Sequence, residues 1–267
     1  MVKIATINFG VSISEEKRLK DIVEDFLLRI KYKPPLIYLY IFNSLSLMRS
    51  YTMSEGFKYG VPTWSLSEEF YAFHDAWTGA PRILYSTETL RALGEKAGLG
   101  CLRHEVGHAV LHGELEYYII TQLPNSKILP EAFYLITVAI KDLEVSNLLF
   151  ENGFIEDQVA FFKKIVEKEL NSQKTLWPIV RGNRKLAQIH LASLLKDLAF
   201  IFPFKASPRF QEEIEEVINE DLSHLPLEVK SSLIDLVSVI SALKLATVEK
   251  IREATRLFER KLLFKAI

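Results

Sequence analysis

The period of hydrophobic and polar positions changes several times along the N-terminal third of the chain. "KIATINF" (3–9) predicts a strand, and "SEEKRLKDIVEDFLLRI" (14–30) places apolar residues at helical spacing, predicting an amphipathic helix opened by Ser14. "PLIYLYIFN" (35–43) is a nearly unbroken apolar run and reads as a buried strand. A short helix is expected from Ser44, after which Gly56, Gly60 and Pro62 break the pattern. "EFYAFHDAW" then leads through the turn "TGAP" into "RILYS" (82–86), an alternating pair that predicts a hairpin. These segments together predict a small mixed sheet.

From about residue 87 the signals are almost entirely helical. They are interrupted at Gly113, around Pro124 to Pro130, at "ENGF" (151–154), at Pro178, at "FPFKASP" (202–208) and at Pro226. The expected fold class is therefore α+β, a small mixed sheet followed by an all-α C-terminal lobe. No internal repeat, low-complexity tract or long polar linker marks two independent domains, so two lobes sharing a cleft are expected. Their boundary falls between about 115 and 155 and is drawn at 150, giving lobes of residues 1–150 and 151–267.

Composition narrows the function classes. With 267 residues and 49% hydrophobic content there is ample material for a core. A net charge of -1 leaves no electrostatic footprint for a phosphate backbone or an anionic membrane, so nucleic acid is not an expected partner. The single cysteine, Cys101, cannot form an intramolecular disulfide, which fits a reducing compartment. The N-terminus lacks a long apolar stretch with a small-residue cleavage site, so a cytoplasmic location is expected. The most apolar later run, "SSLIDLVSVISALKLATV", carries Asp235 and Lys244; it reads as a buried core helix, and no membrane span is expected.

The chemistry concentrates in "CLRHEVGHAVLHGE" (101–114). His104 and His108 are four residues apart, which on a helix stacks them one turn above the other with rings able to converge on one ion. Glu105 lies between them, completing H-E-x-x-H, in which the carboxylate faces a metal-bound water instead of ligating the metal. Val106, Ala109, Val110 and Leu111 supply an apolar side for packing. A buried core helix with satisfied histidines accounts for one such residue more readily than for three and a glutamate. One Zn2+ ion is the expected cofactor. His112 would lie about 12 Å from His104 on a continuous helix, too far to share one tetrahedral ion, so it is expected to support a ligand or to pack. Cys101 reads as a small core residue.

On "HEVGH" (104–108), with a small sheet before it and helices after it, the chain resembles the zincin metallopeptidases, and more narrowly their gluzincin branch. The likeness covers about residues 35–150. It implies hydrolysis of a peptide or protein substrate, with Glu105 acting as general base and then as acid toward the departing amine. It also implies a glutamate ligand from a following helix, for which Glu131 and Glu144 are the candidates. If the metal helix runs to about 120 and the next begins near 130, antiparallel packing puts Glu144 level with residue 106, so Glu144 is the expected third ligand. The gluzincin aspartate four residues further on is absent, the position being Leu148; Asp142 or Asn147 can supply that contact. The resemblance further implies an edge strand that binds extended peptide, for which "RILYS" is the candidate.

A second oxyanion donor is expected among His190, Arg181, Arg184, Tyr134 and Tyr117, with His190 named first because it interrupts the apolar helix "KLAQIHLASLL". His74 and His224 read as structural or surface residues. The alternative reading is a non-proteolytic, zinc-stabilised regulatory or scaffold protein whose helical lobe binds a partner. A di-iron carboxylate bundle, suggested by Glu105 and His108 as E-x-x-H, needs a second such pair, and Glu144 is followed by Asn147.

Overall fold

In the computed structural model, residues 2–31, 33–60, 71–76 and 78–263 are described. Pro62 and the Glu69, Phe70 and Trp77 positions of the expected hairpin lie outside them. The fold is α+β, a four-stranded mixed sheet with helices and then a helical C-terminal region. The chain divides into two compact units, residues 1–118 and 119–267. This division falls well before 150, because the helix from Pro130 belongs with the helices that follow it.

In the first unit the chain runs β1 (Lys3–Phe9), α1 (Ile13–Arg29), β2 (Leu36–Phe42), α2 (Leu45–Tyr59), β3 (Ala72–Asp75), β4 (Arg82–Ser86), α3 (Thr87–Leu93) and α4 (Glu95–Leu111), ending in a 3-10 turn at Leu115–Tyr118. Ser12, not Ser14, caps α1: its backbone is extended and its hydroxyl accepts from the Glu15 amide. Ser44 caps α2 in the same way, accepting from Leu47.

The sheet order is β1-β2-β4-β3, with β1, β2 and β4 parallel and β3 antiparallel to β4. All five residues of β4 are buried, because helices cover both faces of the sheet there, α2 on one and α4 on the other. The "RILYS" segment is central, and β3 is the edge strand on that side. The expected peptide-binding role of 82–86 is corrected on this ground, since the backbone groups of β4 are taken by β2 and β3.

Strand alternation sorts side chains between the two faces. On one face Phe42, Met48 and Leu84 form a core joined by Phe9, Tyr40, Tyr51 and Phe73. On that face Asp75 grips Arg82 through two contacts of 2.6 and 2.7 Å, and Arg82 also reaches Glu55 at 2.7 Å. The opposite face meets α4, where the Tyr85 hydroxyl donates to the Gly98 carbonyl at 2.7 Å. Gly98 allows α3 this close, because a Cβ there would lie 2.9 Å from Leu90 Cα.

The second unit is α5 (Pro130–Glu151), α6 (Glu156–Val180), α7 (Arg184–Ile201), α8 (Gln211–Asp221), α9 (Leu227–Ser241) and α10 (Thr247–Phe258). Pro130 occupies the first turn of α5, where its missing N–H costs nothing. Pro178 lies within the last turn of α6 instead of ending it two residues sooner. Ile136, Ile140 and Leu143 of α5 and Leu191, Leu194, Leu195 and Leu198 of α7 are buried, and these two helices share the most extensive packing in the unit. Among the described residues, Arg184–Ala206 is the one stretch long and apolar enough to span a membrane; 61% of its most apolar window is buried inside the protein, as in a core helix.

Candidate metal centre

The i to i+4 spacing works out as expected on α4. His104 and His108 are buried, at 5% and 2% exposure, with ring centroids 4.7 Å apart and planes at 80°. Their Nε2 atoms face each other at 3.0 Å. Two nitrogens bound to one tetrahedral zinc, each at about 2.0–2.1 Å, stand about 3.3 Å apart, so this pair needs only a slight opening to hold such an ion. The residues fit a metal on this geometry.

The rest of α4 fixes the pair. Leu102, Val106, Ala109 and Val110 are buried and anchor the helix in the first unit. The helix stops at Leu111, where His112 leaves helical geometry and its amide bonds to the His108 carbonyl at 2.7 Å. Gly113 follows because a Cβ there would lie 2.3 Å from the Ala109 carbonyl and 2.9 Å from Pro81 Cβ. The continuation to about 120, on which the placement of Glu144 relied, is therefore corrected.

His112 is fully buried and packs edge-on against Tyr117, with ring centroids 5.2 Å apart. Its Nδ1 lies 3.2 Å from Nδ1 of His108. With His108 offering Nε2 to a metal, its Nδ1 carries the proton and donates to His112, which fixes tautomer and ring orientation. Cys101 is a buried core thiol whose pKa is raised first by burial and then by the Glu105 charge.

Glu105 has a partner that its sequence context does not announce. Its Oε2 lies 2.6 Å from Nδ1 of His74, on the edge strand β3. The His74 ring also stacks on His108, with centroids 4.0 Å apart and planes within 5°. Of the structural and surface readings of His74, the surface one is corrected: it shares with Ala72 the face of β3 that meets α4, whereas Phe73 joins the opposite core. Alternation along "AFHD" carries that signal. Tyr118 closes this end of the first unit, its ring 6.1 Å from His74. Its phenol is pushed well above the usual range by burial and then by Asp75 and Glu105, so it stays protonated.

In the helical unit, Glu144 is engaged by α10: its carboxylate accepts from Thr247 Oγ1 at 2.9 Å and from Lys250 Nζ at 2.6 Å. Glu131 is exposed in the first turn of α5. The Asn147 amide turns back to the Leu143 carbonyl of its own helix at 2.8 Å. Asp142 is a buried carboxylate on α5.

His190 sits with Trp177, stacked at 5.8 Å, and His224, whose Nε2 is 3.1 Å from its own. Burial, and then His224, lower its pKa to about 4, so it is a neutral imidazole near pH 7. These contacts give His190 ring and hydrogen-bond partners within the helical unit. No protein-family model, curated protein or solved structure matches the chain.

Proposed function

We propose that the protein is a zinc-dependent peptidase in which His104 and His108 hold one zinc ion and Glu105 is the proton-transferring group. The observation that carries this reading is the facing pair of Nε2 atoms 3.0 Å apart, with a carboxylate on the intervening residue. Two imidazoles are donors suited to zinc, which at a catalytic site keeps a further position for water. A bound zinc ion lowers the pKa of such a water to about 7.

The chain's own residues then have distinct tasks. Glu105 takes the proton as water attacks a peptide carbonyl, and returns it to the departing amine, which must leave protonated. His112 keeps the Nδ1 proton of His108 in place, so that Nε2 is the free donor. Tyr118 retains its phenolic proton and so can donate a hydrogen bond. Glu144 has no part in this reading, because Lys250 neutralises its carboxylate.

The deciding experiment is Glu105→Gln, assayed for zinc content and for hydrolysis of a quenched peptide library. Zinc should stay at one equivalent while the rate falls by about 10²–10⁴. The alternative, a zinc-stabilised regulatory or scaffold protein, draws support from the near-complete burial of both histidines, since structural zinc sites are closed. It requires that Glu105→Gln change no measured rate.

A further inference from the structure

We infer that His74 is a positioning residue for this centre, holding the Glu105 carboxylate and the His108 ring in their working orientations from the edge of the sheet; the inference rests on the peptidase reading. A glutamate on a helix surface has three side-chain torsions and loses up to about 2 kcal/mol of rotamer freedom when fixed. Something must hold it for efficient proton transfer. The 2.6 Å contact from His74 Nδ1 to Oε2 does so and leaves Oε1 to take the proton.

The second contact acts on a ligand. The His74 ring lies parallel to that of His108 at 4.0 Å, limiting its rotation on one side while His112 holds Nδ1. His74 is itself fixed. It pairs in register with Ile83 of β4, and the next residue, Asp75, is clamped by the buried Arg82. The sheet thus supplies a rigid point against which side chains of α4 are set, and the mixed pairing of β3 has a consequence for the chemistry.

The two contacts separate by substitution. His74→Phe keeps a flat ring over His108 and loses the hydrogen bond; His74→Gln keeps an N–H donor for Glu105. With a peptide substrate, His74→Phe should lower kcat about 10–100-fold at unchanged KM, and His74→Gln should restore most of it. Wild-type kcat in the Phe variant, or a Gln variant as slow as the Phe variant while both remain folded, would overturn the inference.

Two readouts do not depend on activity. In the zinc-free protein, the His74 ring N–H should give a slowly exchanging proton resonance that is lost in Glu105→Ala; equal exchange in both proteins counts against the hydrogen bond. By chelator competition, His74→Ala should bind zinc about 10-fold more weakly than wild type, and an unchanged affinity would remove the effect on His108. If wild type hydrolyses nothing, the peptidase reading fails, while these two measurements still decide the role of His74.

Discussion

Lys250 Nζ lies 2.6 Å from Glu144 Oε1, tying α10 to α5 within the helical unit, with both side chains largely buried. A carboxylate held this way is compensated in the folded protein. Glu144→Gln should therefore lower unfolding free energy by roughly 1–3 kcal/mol and leave zinc stoichiometry unchanged. Denaturant titration and metal analysis of the variant check this together; zinc lost from it would return the ligand role to Glu144.

Arg82 is enclosed between Asp75 and Glu55, with Arg82 at 3% and Asp75 at 1% side-chain exposure. Removing the cation leaves a buried carboxylate without its partner. Arg82→Met should cost about 3–5 kcal/mol, read as a lower urea midpoint. The double variant Arg82→Met with Asp75→Leu should recover part of that loss, because no uncompensated charge remains.

The His190 and His224 pair gives the helical unit a pH dependence. His190 titrates near 4 in the folded protein against about 6.5 unfolded, so folding favours its neutral form. The lowered pKa of His224, caused first by burial, acts in the same direction. Their contribution is fully present above pH 6.5 and is lost as pH falls toward 4, the His190 part amounting to roughly 3 kcal/mol. The difference in unfolding free energy between wild type and His190→Phe, measured from pH 7 to 4, should shift in favour of the variant as pH falls; a constant difference would contradict the assignment.

The elements and the metal helix are legible in the sequence because both are written in short-range periods. Strand alternation marks β1, β2 and the β3–β4 hairpin, and the four-residue step of His104 and His108 needs one helix. What sequence does not carry is lateral. "RILYS" looks like an alternating edge segment, yet parallel pairing with β2 makes it central and helices on both faces bury every one of its residues. His74 is adjacent to Glu105 only through the packing of β3 on α4, 31 residues away along the chain. The choice between Glu131 and Glu144 also depends on helix packing, and the partner that engages Glu144 is Lys250, 106 residues further on.

Metal binding by the α4 histidines is the claim on which the rest depends. Purified protein, reconstituted with zinc and desalted, should contain close to one zinc per chain by inductively coupled plasma mass spectrometry. The Glu105→Gln variant should match it, and the doubly substituted His104→Ala, His108→Ala variant should contain none. Zinc absent from the wild type, or retained undiminished in the double variant, would contradict the account.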